Sequence, residues 1–182
     1  MHLRLIVFAL LAAASVSAAA DSVDLNLSSD SIEARYNTGF GAGEMTVGAL
    51  YNNNQNDWAA NVGLLATSES IHANSRLEGG LGGKVYAVSV GSSQVLALGL
   101  GGQFRWFPGN RSVGVGGYAF YAPNIVTGVD GKRFWEAGVR VEVELVKNSS
   151  AYVGYREVRA ELDNDTNVNV DRGAFIGMLI KF

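Results

Sequence analysis

The sequence predicts an all-β protein, an antiparallel up-and-down barrel that crosses a membrane with its strands. Three observations support this class. The chain begins like an exported protein, its segments alternate between apolar and polar residues, and it ends in such a segment with a terminal aromatic residue. From Ala174 to Ile180 every second residue is apolar, which suits a strand with one face toward lipid and the other toward an enclosed interior. Phe182 closes this segment.

The N-terminal end has the three parts of a secretory signal peptide. One basic residue lies in Met1–Arg4, an apolar run covers Leu5–Ala14, and the small residues Ala18–Ala20 precede Asp21. The apolar run is too short to be a transmembrane helix. We therefore expect a signal peptide over residues 1–20, cleaved after Ala20 or after Ala18, and a single barrel domain over residues 21–182.

The composition narrows the class further. Hydrophobic residues make up 48% of the chain, yet no apolar run after residue 20 approaches the roughly 18 residues of a transmembrane helix. The sequence has no cysteine, which excludes disulfides and a cysteine-linked lipid. Loss of residues 1–20 removes Arg4 and no acidic residue, so the formal net charge changes from −3 to −4. This charge does not indicate a nucleic-acid partner.

The clearest alternating segment is Phe134–Leu145. Its odd-numbered residues, from Trp135 to Leu145, are all apolar, while its even-numbered residues from Glu136 to Glu144 are glutamates, Gly138 and Arg140. A strand separates these two sets completely, whereas a helix would scatter the charges around its axis. Val95–Phe107 repeats the arrangement, with leucines and aromatic residues opposite glycines, Gln103 and Arg105.

Eight further segments are shorter or less regular. Six are centred on Val47, Val62, Leu81, Val115, Val153 and Ile176, and two short ones, Val23–Leu27 and Ile32–Tyr36, precede them. Four large apolar residues fall on the polar side of the pattern: Leu65, Phe120, Phe175 and Leu179. The first segment is shorter than the roughly 9–11 residues of a membrane strand. Because bacterial single-chain barrels have even strand numbers, we predict ten strands with a short first one, and eight as the alternative.

The lengths of the connections orient the barrel. If the last strand runs inward, the long connections Glu161–Arg172, Ala122–Arg133 and Asn52–Asp57 are extracellular, while the short ones, Pro108–Arg111 and Lys147–Ser150, are periplasmic. Leu65–Ser75 is then a longer inner turn. Aromatic girdles are expected at both interfaces. Their members would be Trp58, Tyr121 and Trp135 on the outer side and Trp106 and Phe182 on the inner side.

The alternation places seven basic and five acidic side chains in the lumen. They are Arg35, Arg76, Lys84, Arg105, Arg140, Arg156 and Lys181, with Glu33, Glu78, Glu136, Glu142 and Glu144. Barrels of about eight to ten strands have interiors only wide enough for side chains, and buried charges persist only when they are paired. We therefore expect an ion-paired plug. A water-filled path lined by the same residues is the alternative, although no ring of one charge sign marks a selectivity filter.

No catalytic set, cofactor or metal site is predicted. His72 is the only histidine after residue 20; it is expected in the inner turn, and the neighbouring Ser68–Ser70 do not complete a catalytic triad. The acidic group of Asp163–Asp165 with Asp171 lacks the spacing of an EF-hand loop, so a hydrated loop is expected there.

The chain resembles the YfaZ family of small outer-membrane proteins. The resemblance covers essentially all of residues 21–182 and is strongest over Leu98–Asn124, Phe134–Leu162 and the C-terminal AFIGMLIKF. It implies a closed barrel in a Gram-negative outer membrane and brings no established activity, ligand or catalytic residue. The terminal strand also resembles the signal that the barrel-assembly machinery recognises, with Phe182 as its last residue.

Together these features predict a non-enzymatic, mostly closed integral barrel whose outer loops carry contacts with other molecules. Its expected partners are outer-membrane lipid and the assembly machinery. A narrow porin-like channel for small solutes is the alternative, and an outer-membrane enzyme is a third hypothesis.

Overall fold

The computed structural model describes residues 21–72, 74–109, 112–163 and 166–182, so the expected signal peptide lies outside the described residues. A short 3-10 helix covers Asn124–Val126. The strands are β1 (Ser22–Ser28), β2 (Ser31–Phe40), β3 (Gly43–Asn52), β4 (Asp57–His72), β5 (Ser75–Val90), β6 (Ser93–Phe107), β7 (Val113–Ala122), β8 (Thr127–Val129), β9 (Gly131–Val146), β10 (Ser149–Leu162) and β11 (Asn167–Lys181).

Ten of these strands form a closed antiparallel barrel. Each pairs with its neighbour along the chain, β7 pairs with β9, and β11 pairs with β1 to complete the cylinder. The three residues of β8 lie in an outer connection and pair with β6. The predicted ten strands are confirmed, and so is the short first strand, which has seven residues.

Both ends of the described chain lie at the same end of the barrel. The Asp21 N–H donates to the Phe182 carbonyl at 3.1 Å, and the Phe182 N–H donates to the Asp21 carbonyl at 2.9 Å. We call this the inner end. The outer end carries the connections that follow β1, β3, β5, β7 and β10. An even number of antiparallel strands requires this placement of the two termini.

The two faces of the sheet differ as the alternation predicts. On β9, the side chains of Val139 and Leu145 are more than 60% exposed, whereas Glu136 and Glu142 are at most 3% exposed. Large exposed hydrophobic residues cover the outward face of the other strands as well. An apolar surface of this extent is unfavourable in water and suits contact with hydrocarbon.

No helix among the described residues has the length and apolar character needed to cross a membrane.

Most residues of two expected connections belong to strands in the structure. The inner turn expected at Leu65–Ser75 does not form, because β4 continues to His72 and β5 begins at Ser75. The outer loop expected at Glu161–Arg172 shrinks to the residues between Leu162 and Asn167, since Glu161 and Asn167 still form a strand pair. Antiparallel neighbours pair backbone N–H and C=O groups whatever the side chains are. Strands therefore run beyond the apolar alternation that marks them in the sequence.

Candidate functional site: the barrel interior

The outer part of the interior is filled by apolar side chains. Tyr86 packs against Phe134 with ring centroids 4.5 Å apart, and residues near the outer ends of the surrounding strands complete the cluster. We call the following set the outer plug: Leu50, Ala59, Val88, Val90, Val95, Ala97, Ala122, Phe134, Val158, Ala160, Leu162 and Val170. All of these residues are buried. Such a cluster offers no partner for a water molecule or an ion.

A central network of charges lies beneath this plug. Arg35 pairs with Glu33 at 2.6 Å and with Glu136 at 2.9 Å. Arg156, only 1% exposed, pairs with the same Glu33 and with Asp171. Lys84 completes the set, with its Nζ 3.9 Å from Glu136. The three bases and three acids of the central network are Arg35, Lys84, Arg156, Glu33, Glu136 and Asp171.

An inner network lies closer to the inner rim. Arg105 joins Glu78 at 2.6 Å to Glu142 at 2.7 Å. Arg140 contacts Glu142 at 3.3 Å and Asp24 at 2.9 Å. Each of its four bases lies within salt-bridge distance of at least one of its four acids. The members of the inner network are Arg76, Arg105, Arg140, Lys181, Asp24, Glu78, Glu142 and Glu144.

Both networks are therefore neutral, three charges against three and four against four. The structure brings together all twelve charged residues that the sequence places in the lumen, and it adds Asp24 and Asp171. Asp24 lies on the polar side of the short segment Val23–Leu27, so the same alternation could have placed it in the lumen. Asp171 was expected in a hydrated loop but lies inside β11, 4% exposed. The imbalance of seven bases over five acids was itself a signal that acids were missing, because buried charges require partners. Glu44, which lines the inner cavity and accepts from the Gln103 amide at 3.1 Å, is a further interior acid outside both networks.

Several of these cations lie over the faces of aromatic rings. Tyr118 lies opposite Gly138, where a Cβ atom would come within 2.7 Å of the ring, and the Arg35 guanidinium lies 4.6 Å from the centre of the same ring. Because the ring approaches the backbone so closely, only glycine fits below it. The face of the ring attracts the cation above it. Three similar stacks are Gly177–Tyr152–Arg140, Gly154–Phe175–Arg156 and Gly114–Phe107–Arg76.

Contacts inside the barrel explain the four apolar residues that fell on the polar side of the alternation. All four side chains point inward and are buried. Phe175 supports Arg156, and the Phe120 ring lies 4.1 Å from the Lys84 Nζ. Leu65 packs with the apolar cluster of the outer plug, and Leu179 packs beside Phe175. Several glycines on the inward face of the strands are thus covered by rings.

A polar cavity of about 390 Å³ lies on the inner side of the barrel. It is bounded by members of both networks, among them Arg35, Lys84 and Arg105, and it reaches the inner rim at Ser22 and Lys181. No residue of the outer plug lines this cavity, and we call it the inner vestibule.

His72 is the last residue of β4, on an exposed hairpin at the inner end. Its Nδ1 lies 3.4 Å from the Ser70 hydroxyl.

No group of three or more His, Cys, Asp or Glu side chains within the described ranges is arranged to hold a metal ion. Of the acidic group considered above, Asn164 and Asp165 lie outside the described residues, and Asp171 is engaged by Arg156.

All five predicted girdle residues have exposed side chains. Trp58, Tyr121 and Trp135 lie near the outer ends of β4, β7 and β9, and Tyr121 is directly opposite Trp135. Trp106 lies near the inner end of β6, and Phe182 follows β11. Two aromatic bands flanking an apolar zone are typical of a membrane-spanning barrel.

A closed barrel with an apolar outer face and an ion-paired interior defines an integral membrane protein of the outer-membrane β-barrel class. The chain belongs to the YfaZ family, since the family model described as "YfaZ precursor" matches residues 1–182. A closed single-chain β-barrel with an apolar outward face is typical of outer membranes.

Among solved structures, the outer membrane channel DcaP of Acinetobacter baumannii is similar with a TM-score of 0.38 and 11% identity, covering 92% of this chain and 55% of that one. This chain thus spans about half of that protein, and a TM-score this low bears on neither fold nor function. A comparison with curated proteins finds no match.

Proposed function

We propose that the protein is a closed, non-enzymatic component of the outer membrane, with outer loops that make its contacts with other molecules. The observation that carries this proposal is the outer plug, whose buried apolar side chains lie across the interior above two neutral networks. An ion on this path would have to displace packed apolar groups and would meet no site of single charge sign.

Planar-bilayer recording on the purified full-length protein tests the proposal. We expect no reproducible current steps. Open events of defined conductance would overturn it. Two variants on the same strand help to interpret any current. Phe134→Gly thins the outer plug, and Val139→Gly, which shortens a lipid-facing side chain, is its control.

A narrow channel is the second candidate, because the 390 Å³ vestibule already provides a polar entrance from the inner end. Substitution Glu142→Gln separates the two. In a closed barrel it leaves the inner network with one base in excess and removes one partner each from Arg105 and Arg140, which keep Glu78 and Asp24, so stability falls. In a channel it changes conductance or ion selectivity while stability hardly moves. No catalytic role is proposed for His72, and unchanged behaviour of His72→Ala toward lipid and peptide substrates is the expected result.

The proposal also includes the route to the membrane. We propose that residues 1–20 direct export and that the assembly machinery recognises the terminal strand ending in Phe182, whose side chain is 57% exposed. Phe182→Ala should then reduce the amount of folded barrel in outer-membrane fractions. Phe40→Ala, at another exposed inner position, should not. Equal amounts for both variants would contradict this route.

A further inference from the structure

The basic side chains outside the interior are concentrated at one part of the outer rim. Of the described lysines and arginines, seven belong to the two networks and Lys147 lies in an inner turn. The other four lie on the neighbouring strands β9, β10 and β11. We call them the basic rim patch: Lys132, Arg133, Arg159 and Arg172.

The strand register arranges the three arginines in a diagonal row on the outward face. On β10, Arg159 lies midway between Glu157 and Glu161. Arg133 of β9 lies opposite Glu161, toward the outer end, and Arg172 of β11 lies opposite Glu157, toward the inner end. Neighbouring strands are about 4.8 Å apart and alternate residues of a strand about 6.7 Å apart. Successive arginines of the row are therefore about 8 Å apart at the backbone.

Aromatic side chains fix the depth of this row. The Arg159 guanidinium lies 5.8 Å from the ring of Trp135, the residue opposite it, and the Arg172 Nε donates to the Tyr155 hydroxyl at 3.0 Å. Tyrosine and tryptophan concentrate where hydrocarbon meets lipid headgroups. The patch therefore lies at headgroup level at the outer end of the barrel, which is the outer leaflet in the orientation that the loop lengths predict.

The arginines of the patch have acidic neighbours, but their ion pairs lie near the surface. Glu157 is 3.1 Å from Arg159, and Glu161 is 3.6 Å from Lys132 and 3.7 Å from Arg133. Asp130 and Asp163 also lie at this rim, so its row of guanidinium groups defines the patch, and not an excess of positive charge. Ion pairs near the surface are weak, so the guanidinium groups can turn to a stronger ligand. Guanidinium binds phosphate through two parallel hydrogen bonds, which an ordinary surface carboxylate contact does not equal.

We propose that the basic rim patch binds the phosphate groups of an anionic lipid headgroup in the outer leaflet. The phosphate would lie between Arg159 and Arg172, with Arg133 and Lys132 above it, while the acyl chains would lie along the apolar outward face below Tyr155. This inference does not depend on whether the lumen conducts.

The test measures lipid binding by the purified full-length barrel in a neutral detergent. Bisphosphorylated lipid A is titrated, and retained lipid is counted by native mass spectrometry. Dephosphorylated lipid A and inorganic phosphate form the other two arms. We expect binding of the phosphorylated lipid, and a loss of at least about tenfold in affinity for Arg159→Gln/Arg172→Gln, because each guanidinium supplies charge-assisted hydrogen bonds. Arg159→Lys should be intermediate, since an ammonium keeps the charge but not the paired geometry.

Lys147→Gln is the matched control for the single variant Arg159→Gln, because it removes one positive charge at the other rim; it should leave affinity unchanged. Urea midpoints measured without lipid establish that each variant is folded. Equal binding of dephosphorylated lipid A, or full affinity in the double variant, would overturn the proposal. Full competition by inorganic phosphate at the concentration of the lipid would show a site for free phosphate instead.

Discussion

Replacing Arg156 with methionine should destabilise the barrel by about 3–5 kcal/mol, the usual cost of breaking a buried ion pair from one side. The guanidinium is almost fully buried and contacts Glu33, Asp171 and the Ser31 hydroxyl. Methionine fills similar volume and preserves contact with the Phe175 ring, so the loss is mainly electrostatic. The two acids do not suffer equally, because Glu33 keeps Arg35 as a partner at 2.6 Å. Asp171 is therefore the stranded charge.

A second variant makes this reasoning specific. Arg156→Met/Asp171→Asn removes the stranded charge, so the double variant should be more stable than the sum of the two single losses predicts, by about 0.5–3 kcal/mol. Arg133→Met is the exposed comparison; its pair with Glu161 is 3.7 Å long and should contribute about 0–1 kcal/mol. Equilibrium urea unfolding in phosphatidylcholine vesicles, followed by tryptophan fluorescence, measures the unsubstituted protein and the four variants Arg156→Met, Asp171→Asn, Arg156→Met/Asp171→Asn and Arg133→Met. A loss for Arg156→Met no larger than for Arg133→Met would refute the buried network, as would strictly additive losses in the cycle.

Three further predictions use the same unfolding assay. Val139→Arg, on the lipid-facing side of β9, should cost about 2–4 kcal/mol, whereas Ile125→Arg, 91% exposed in an outer connection, should cost almost nothing; equal costs would mean that the outward face does not meet hydrocarbon. Gly177→Ala should cost about 1–3 kcal/mol because its Cβ would lie 2.3 Å from a tyrosine ring, while Gly173→Ala, with open space around it, should be neutral or mildly stabilising. Val129→Gly should stabilise by about 1 kcal/mol, since a β-branched residue is strained at a φ of 70°; a loss of stability would contradict this.

The period of two in the sequence was sufficient to predict the membrane-facing side of the barrel. Together with the even strand number of bacterial barrels it favoured ten strands over eight, because each lipid-facing residue is selected by a solvent that extends all around the protein. On β9 the prediction applies residue by residue from Trp135 to Leu145. Strand ends were harder to predict, since polar stretches such as the one that ends at His72 pair through their backbones without any apolar signature.

The interior was only partly predictable for a different reason. The residues that enter the lumen follow from alternation, but their partners depend on register and strand tilt, which connect positions as distant as Asp24 and Arg140. The outer plug was missed because inward-facing apolar residues such as Val95 and Phe134 interrupt the polar side of the pattern only at strand ends. The basic rim patch was invisible for the same reason, since it forms only when three strands lie side by side.

Two sets of charges that each sum to zero restrict how this family can diverge. A mutation that removes one base leaves its network with an acid in excess, and the cost is greatest where that acid has one cationic partner, as Asp24 and Asp171 have. An accepted change there must be followed by loss of that acid or by a new cation within reach. Substitutions at positions 156 and 171, or at 140 and 24, are thus expected to occur together across homologous sequences, even though more than a hundred residues separate the latter pair along the polypeptide.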